Sequence, residues 1–550
     1  MRTILTLLAM TLLWTGRATA ADASPQTSRP NIILIFADDF GYGDAGCYGG
    51  SLVPTPNIDR LAAGGVRCTD GYATAPVCAP SRCGIMTGAY NQRFGMQWND
   101  DRGKYVIPVD HKLLPEALKA AGYRTGHIGK WNIPRDHTAV FDETYATMDW
   151  EGDYFPGPDG KYFGVDNPDQ HASAKVQGIW GPERPGEEYL TDRLGRHAVE
   201  FIERHKGSPF FLYLAFNAVH TPLHAKKADQ SRFAHIAEEP LRFYAAMVSS
   251  LDENIGRVLD TLKSEGLESD TLVVFTSDNG PAKGPVKVWR DSWPAQCPLG
   301  SAGPLNGRKA QFLEGGFREP YILRWPARLQ AGQVYARPVS TMDLYPTFCS
   351  AAGAPVPDGT RLDGVDLLPF ISGRNTADPH AILFWKNGDA GAVREGDWKL
   401  VLNHTEPKIQ LFNLKEDVGE SRDLAAEKAD LADRLHKAWA QWSATLPPRA
   451  NPPRIGQAPS PALKAEPITV SGMLSFRQPI NKEGKPYKAY DVTTDQAAVY
   501  TFSGMMARQG CPSVDIAGLV GHRVRVSGQA IKRGPRGQFV SITSIENARQ

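Results

Sequence analysis

The chain has 550 residues, of which 41% are hydrophobic and 22% are charged, and its formal net charge is +1. This length predicts several domains, and the composition excludes a disordered chain, a coiled coil and a collagen-like fibre. The balanced charge gives no indication of a nucleic-acid partner or of an anionic membrane surface.

The N-terminus is typical of a secretory signal peptide over residues 1–20. Arg2 provides the positive start, Ile4–Trp14 is a mostly apolar run, and Ala18–Ala20 fits a cleavage site of small residues. The run is too short to cross a bilayer, and no cysteine follows it to carry a lipid. We therefore predict an exported protein, periplasmic or secreted, without a stable membrane anchor; an uncleaved anchor is the alternative.

The next part of the chain, residues 29–377, alternates between apolar runs and amphipathic helices, which indicates an α/β sheet. Strands are predicted over Asn31–Ala37, Tyr123–Ile128, Phe210–Phe216 and Thr271–Thr276. Helices are predicted over Leu113–Ala121, Glu188–Lys206 and Glu239–Gly266.

Two further domains with shorter strands follow, joined by a candidate linker. Residues 378–445 predict a small α+β subdomain with strands over Ala381–Trp385, Asp397–Asn403 and Ile409–Asn413 and a helix over Ser421–Ser443. Residues 446–464 are rich in proline and are a candidate linker. Residues 465–550 predict an all-β, OB-like barrel from the strand-like runs Ile468–Phe476, Ala498–Phe502, Arg523–Ser527 and Phe539–Ile545.

Polar residues follow the predicted strands of the first region. Asp38 and Asp39 come after the first strand, Asp278 and Asn279 after the last, and Lys130, Asn132 and His220 after the two between them. Ligands bind outside the carboxyl ends of parallel strands. Three carboxylates and an amide are hard oxygen donors that suit Ca²⁺ or Mg²⁺ better than zinc. The alternative is that each of these groups merely caps a turn or packs structurally.

The segment Cys78-Ala79-Pro80-Ser81-Arg82, followed by Thr87-Gly88, resembles the C-x-P-S-R and T-G pattern of the formylglycine-dependent (type I) sulfatases of the alkaline-phosphatase superfamily. Further segments resemble the family in the same order along roughly residues 29–445: Arg29–Asp39, Pro54–Asp59, Gly122–Trp131, Gly307–Arg318 and Arg394–Leu400. Their number and order argue against a chance match.

The resemblance implies a sulfuric ester hydrolase with an alkaline-phosphatase-like mixed sheet flanked by helices. It implies that a separate maturation enzyme oxidises Cys78 to formylglycine, whose hydrated form attacks sulfur and later expels sulfate. It also implies one Ca²⁺, held by the residue at position 78 and by four others: Asp38, Asp39, Asp278 and Asn279.

The other family positions imply roles for four catalytic side chains. Arg82 would hold the diol near the metal, Lys130 and Lys309 would contact the sulfate, and His220 would protonate the leaving group or be its hydrogen-bond partner. Asn132 stands where the family commonly has histidine, and an amide cannot shuttle a proton. Either His220 handles the protons alone, or another histidine substitutes, namely His127, His137 or His224.

Export and the family together predict a sulfated carbohydrate as substrate, selected by loops over residues 150–180 and 282–302. One alternative is a phosphodiesterase or phosphonate hydrolase of the same superfamily. Another is a catalytically inert protein that binds sulfated glycans through the terminal barrel. The basic residues of that barrel would then meet the glycan, although charge that protects a strand edge is the favoured explanation for them: Arg523, Arg525, Lys532, Arg533 and Arg536.

The chain has seven cysteines. An odd number in an exported protein leaves at least one unpaired, and the sequence does not determine the pairing of the others.

Overall fold

The computed structural model describes residues 29–101, 107–149, 153–156, 161–162, 165, 187–283, 298–447, 466–477, 489–495, 499–503, 519–520, 522–533 and 536–547. The predicted signal peptide, most of the proline-rich segment and most of the two predicted substrate loops lie outside these residues. The chain divides into two compact units, Met1–Pro452 and Pro453–Gln550.

A nine-stranded sheet forms the centre of the first unit. Its strands are β1 (Asn31–Ala37), β2 (Val66–Tyr72), β3 (Arg124–Lys130), β4 (Glu143–Met148), β5 (Phe210–Ala215), β6 (Thr271–Ser277), β9 (Arg318–Arg324), β10 (Gln333–Tyr335) and β11 (Val339–Ser340), and a small separate ribbon is made of β7 (Ala282–Lys283) and β8 (Pro298–Leu299). The strand order is β10-β2-β9-β6-β1-β5-β3-β4, with β11 paired to β2. The four strands expected from the sequence are present within two residues of their predicted ends.

The direction of the strands determines which segments reach one edge of this sheet. Strands β1, β3, β5 and β6 run parallel, so their carboxyl ends share that edge. Strand β9 is antiparallel to both β6 and β2. Its amino end therefore lies at the same edge, and the chain that leads into β9 passes there too. Strand β2 ends at this edge as well and leads into the helix that begins at Cys78.

Helices cover the sheet on both faces. The side chains of β1 alternate between the two layers, with Ile33 and Ile35 in one hydrophobic cluster and Leu34 and Phe36 in the other. Such a continuous apolar strand is expected where both faces are buried. The helices of this unit are α1 (Pro56–Ala63), α2 (Cys78–Thr87), α3 (Leu114–Ala120), α4 (His137–Val140), α5 (Leu190–His205), α6 (Lys227–Arg232), α7 (Glu239–Ser264), α8 (Glu314–Phe317), α9 (Leu344–Ala352), α10 (Leu368–Ile371) and α11 (Ala429–Ala444).

A second, four-stranded antiparallel sheet packs against α11. Its strands are β12 (Leu383–Asn387), β13 (Ala390–Glu395), β14 (Trp398–Leu402) and β15 (Ile409–Asn413). The helix predicted over Ser421–Ser443 is wrong at its start, because α11 begins only at Ala429. The Leu424 N–H donates to the Leu411 carbonyl at 2.8 Å, and Asp423 accepts the Leu411 N–H at 3.0 Å. These bonds hold the preceding segment against β15 instead of in a helix.

The second unit contains a closed five-stranded barrel. Its strands are β16 (Glu466–Arg477), β17 (Ala489–Thr493), β18 (Val499–Ser503), β19 (Arg523–Arg533) and β20 (Arg536–Asn547). They pair in the order β16-β17-β18-β20-β19. The interpretation that basic residues protect a strand edge is wrong for β19, because this strand pairs with β16 on one side and β20 on the other. Arg523 instead forms an ion pair with Asp495.

Two further observations bear on the sequence predictions. Among the described residues, no helix combines the length and the apolar character needed to cross a membrane. Five of the seven cysteines lie in the described part of the chain, and all five are free thiols: Cys47, Cys68, Cys78, Cys83 and Cys349.

Candidate active site

The backbone joins the ends of three strands at the shared sheet edge. The Asp38 N–H, directly after β1, donates to the Ala218 carbonyl at 3.0 Å, and the Val219 N–H donates back to the Asp38 carbonyl at 2.8 Å. The Asp278 N–H, directly after β6, donates to the Ala37 carbonyl at 3.2 Å. The acidic residues that follow β1 and β6 are therefore brought together, as the sequence predicted.

Cys78 is the first residue of α2, a helix whose ten residues are all buried. The Cys78 Sγ lies 3.7 Å from Asp38 Oδ1. Burial raises the pKa of the thiol to about 12, against the opposing effect of Lys130 and Lys309. An unmodified Cys78 is therefore a protonated thiol near neutral pH and a poor nucleophile.

Four side chains converge closely enough to share a metal ion. One ligand atom from each of Asp38, Asp39, Cys78 and His220 lies within 4.8 Å of the others. Asp39 has a φ of 61°, in the left-handed region, and its N–H donates to Asp278 Oδ1 at 3.2 Å. His220 thus lies among the predicted metal ligands, although the sequence predicted only a proton-transfer role for it.

Arg82 is fully buried beneath this cluster and binds Asp278 through two nitrogens. Its Nε and Nη2 donate to Asp278 Oδ2 at 3.0 and 2.7 Å. Its Nη1 donates to the Lys130 carbonyl at 3.0 Å and to the Tyr213 hydroxyl at 3.3 Å. The Arg82 guanidinium therefore links the ends of β6 and β3 and fixes the orientation of Asp278.

Each of the two predicted lysines forms a short ion pair with a carboxylate of the cluster. Lys130 Nζ lies 2.5 Å from Asp38 Oδ2, and Lys309 Nζ lies 2.5 Å from Asp39 Oδ1. Burial alone would raise the pKa of Asp38, but Lys130, His220, Arg82 and Lys309 together hold it well below its usual range. Asp38 is therefore a carboxylate near neutral pH.

Gly129 explains how Lys130 reaches this position at the end of β3. Its φ is 97°, and a Cβ there would lie 2.0 Å from the Ala215 carbonyl oxygen. Only glycine fits this close approach of β3 and β5.

The hydrogen bonding of the Asn279 side chain shows whether the cluster suits a hard cation. Its Nδ2 donates to Asp39 Oδ1 at 2.7 Å, and its Oδ1 is buried without a hydrogen-bond partner among the described residues. A buried amide oxygen without a donor is costly, and a cation between it and the neighbouring carboxylates would satisfy it. The donor set is rich in oxygen and so fits the predicted class of metal.

His220 and Asn132 differ in their relation to the cluster. His220 Nδ1 donates to the Thr221 carbonyl at 2.7 Å, and its Nε2 lies 3.7 Å from Asp39 Oδ2. Asn132 Nδ2 donates to the Asp149 carbonyl at 2.5 Å, and its Oδ1 is buried without a partner. Within the described ranges, no hydrogen bond joins Asn132 to the carboxylates.

The histidines considered as substitutes lie in other surroundings. His127 is buried and stacks on Tyr213, with ring centroids 5.4 Å apart, and its ring lies 5.9 Å from that of His137. His224 packs near Tyr154. Of the four candidate histidines, His220 is the one in the ligand cluster.

Tyr213 is a residue of the site that the sequence reasoning missed. Its hydroxyl accepts a hydrogen bond from Arg82, and its ring lies against Phe36 at 6.0 Å. The available signal was a single hydroxyl within the apolar run Phe210–Ala215, which predicts a polar partner inside the sheet.

Comparison with known proteins identifies the family of the chain. Residues 30–354 match the family described as Sulfatase, and residues 308–444 match the family described as N-sulphoglucosamine sulphohydrolase, C-terminal. The chain is 32% identical to the steryl-sulfatase of Homo sapiens over 456 residues, which are 70% of this chain and 75% of that protein. It is 34% identical to the N-acetylgalactosamine-6-sulfatase of Sus scrofa over 392 residues, with coverages of 67% and 71%.

A solved structure agrees with both matches. The crystal structure of Ps i-CgsB superposes with a TM-score of 0.65 and 34% identity, and covers 76% of this chain and 93% of that chain. Sulfatases of this family typically use a metal ion and a formylglycine, and this chain contains a buried cluster of acidic, cysteine and histidine side chains around Cys78. The chain therefore belongs to the sulfatase family and is a sulfuric ester hydrolase.

Proposed function

We propose that this protein is an exported sulfatase that removes sulfate from carbohydrates, with a formylglycine made from Cys78 and one bound Ca²⁺. The observation that carries the proposal is the convergence of Asp38, Asp39, Cys78 and His220 at one sheet edge, with Lys130 and Lys309 beside them. The overall reaction converts a sulfate ester and water into an alcohol, sulfate and a proton.

Asp38, Asp39, Asp278 and Asn279 would hold the Ca²⁺ together with the residue at position 78. When bound, the cation lowers the pKa of an oxygen nucleophile and neutralises the sulfate oxygens. The unpartnered Asn279 Oδ1 supports this assignment, and Arg82 keeps Asp278 oriented toward the site. A separate maturation enzyme would supply the formylglycine, whose hydrated form provides an oxygen nucleophile.

Lys130 and Lys309 would bind the sulfate group of the substrate. Lys130 is buried and Lys309 is partly buried, and the carboxylates beside them raise the pKa of each lysine against the effect of burial. Both lysines are therefore charged near neutral pH, and they would supply positive charge where negative charge develops on sulfate and on the bridging oxygen.

His220 would donate the proton to the leaving alcohol. Its Nδ1–H is committed to the Thr221 carbonyl, so Nε2, which faces Asp39, is the nitrogen that gains and loses the proton. The positions of the other histidines support His220 acting alone. Asn132, which we propose as a site residue from its place in the motif, would then contribute an amide rather than a proton.

The comparisons support a carbohydrate substrate. One relative is an N-acetylgalactosamine-6-sulfatase, and Ps i-CgsB was also solved in complex with k-i-k-neocarrahexaose. We propose a catalytic domain over residues 29–377, an α+β subdomain over 378–445, a linker over 446–464 and an OB-like domain over 465–550. The closed five-stranded barrel supports the last assignment.

The decisive test is the mass of the tryptic peptide Cys68–Arg82 from protein made in a host with a maturation enzyme. Formylglycine replaces one sulfur and two hydrogens with one oxygen, so the peptide becomes lighter. We expect the lighter form, together with hydrolysis of para-nitrophenyl sulfate that Cys78→Ala abolishes. An intact thiol and no hydrolysis would instead favour an inert glycan-binding protein.

A second assay separates the sulfatase from the other enzymes of the superfamily. We expect para-nitrophenyl sulfate to be hydrolysed faster than bis(para-nitrophenyl) phosphate and a phosphonate monoester. The reverse order would establish a phosphodiesterase or phosphonate hydrolase.

A further inference from the structure

The turn that holds Asn99 contacts the backbone beside Cys78. The Ala79 N–H donates to Asn99 Oδ1 at 3.1 Å, and Ala79 directly follows Cys78 in α2. Because Val77, the residue before the helix, provides no side-chain cap, Asn99 supplies a cap from a distant part of the chain. The side chain of Asn99 is thus placed next to the residue that carries the nucleophile.

This hydrogen bond also fixes which way the amide of Asn99 faces. An N–H donor requires the oxygen of the amide, so the Asn99 NH₂ group is directed away from Ala79. Asn99 is partly exposed. In the described part of the chain, its Nδ2 donates to no protein acceptor, and it is not among the buried polar atoms. Two N–H donors that are not buried therefore lie beside the first turn of α2, which begins at Cys78.

The turn itself is firmly braced. The buried carboxylate of Asp101 accepts the N–H groups of Gln97 and Trp98, both at 3.0 Å. Gln97 Oε1 accepts the Gly388 N–H at 2.8 Å, which attaches the turn to the hairpin between β12 and β13. A braced donor loses little conformational freedom on binding a ligand.

We propose that Asn99 is a substrate-binding residue that donates a hydrogen bond to a neutral oxygen, a hydroxyl or an amide carbonyl, of the sugar that carries the sulfate. The inference rests on the proposed function, since it names the part of a carbohydrate substrate that this site recognises. An aryl sulfate has no such oxygen. Asn99 is therefore a determinant of preference for sugar sulfates over aryl sulfates.

The test compares two kinds of probe on the mature enzyme. The Michaelis constant is measured directly for para-nitrophenyl sulfate, and N-acetylgalactosamine 6-sulfate and galactose 6-sulfate are measured as competitive inhibitors, so that neither needs to be turned over. We expect Asn99→Ala to raise the inhibition constant about tenfold for at least one sugar sulfate, the effect of one lost hydrogen bond. The inhibition constant of that sugar sulfate should rise far more than the Michaelis constant for the aryl sulfate.

Three controls separate binding from folding and maturation. Asn375→Ala removes another amide oxygen that accepts one backbone N–H, that of Ala377 at 3.0 Å, in an exposed turn, and should leave every constant unchanged. Asn99→Asp keeps an acceptor for the Ala79 N–H and removes the donors, so it should also weaken binding of the sugar sulfate. The mass of the Cys68–Arg82 peptide reports whether each variant is matured.

The outcomes are distinct. Equal weakening of both kinds of probe in Asn99→Ala would overturn the proposal, because Asn99 would then act on the sulfate or on the position of Cys78. Unchanged inhibition constants for both sugar sulfates would overturn it as well. Failure of the proposed function itself would appear earlier, as absence of para-nitrophenyl sulfate hydrolysis by the wild-type protein.

Discussion

Lys399 and Glu314 form an ion pair with no solvent exposure, in which Nζ lies 2.8 Å from Oε1. Lys399 also lies 2.8 Å from Glu420 Oε1, and the Tyr72 hydroxyl donates to Glu314 Oε2 at 2.6 Å. The pair joins β14 of the second sheet to α8, which begins five residues after Lys309. It therefore connects the second sheet with the segment that carries Lys309, which we propose as a sulfate-binding residue.

We expect Lys399→Met to lower the free energy of unfolding by about 3–5 kcal/mol, because two buried carboxylates would lose their shared cation. Urea unfolding followed by circular dichroism measures this loss. Lys408→Met is the matched control, since the Lys408 ammonium donates to the His404 carbonyl at the surface. A loss below about 1 kcal/mol for Lys399→Met would show that the pair is not essential to the fold.

His220→Gln should affect substrates according to their leaving groups. A sugar alkoxide needs a proton to leave, so we expect kcat to fall about 10²–10⁴-fold for a hydrolysed sugar sulfate. The para-nitrophenolate ion leaves without protonation, so kcat for para-nitrophenyl sulfate should fall much less. His235→Gln, at an exposed histidine, should change neither rate. Equal losses on both substrates would assign His220 to the metal rather than to proton transfer.

Removal of divalent cations should destabilise the folded protein. Binding to the native state alone stabilises it by about 2.7 kcal/mol when the free ligand is at 100 times its Kd. We expect EDTA to lower the Tm and Ca²⁺ in excess to restore it. Asp39→Asn should remove most of this dependence. A Tm that is identical in EDTA and in Ca²⁺ would contradict a metal site at Asp38 and Asp39.

Glu319 should make stability depend on pH. It is fully buried on β9, neither of its oxygens has a hydrogen-bond partner in the described part of the chain, and burial raises the pKa of its carboxyl well above the usual range. The native state therefore keeps a proton that the unfolded chain releases, so the contribution of Glu319 is greatest below the ordinary pKa and is lost as pH rises. We expect Glu319→Gln to be more stable than the wild type by at least about 1 kcal/mol at pH 8.

Urea unfolding between pH 5 and pH 8 measures this difference. Glu203→Gln, on the exposed face of α5, is the matched control and should show no such trend. A Glu319→Gln variant that is equally destabilised at both ends of the range would indicate a hydrogen bond to the carboxylate.

The sequence was sufficient to predict the strand ends that build the site, because β1, β5 and β6 are mostly apolar and a polar residue follows each of them within two residues. It did not predict β9, whose seven residues Arg318–Arg324 mix charged and apolar side chains. Nor did it predict Asn99 or Tyr213, since the contacts that make them important come from segments distant in the chain. Periodicity detects burial, whereas these contacts depend on how the strands are ordered.

The burial of α2 also constrains the order of events during biosynthesis. All ten residues from Cys78 to Thr87 are inside the fold, and the Cys78 sulfur faces the carboxylates rather than solvent. We therefore expect a maturation enzyme to modify Cys78 before α2 is buried, and a molecule that folds first to keep the unmodified thiol.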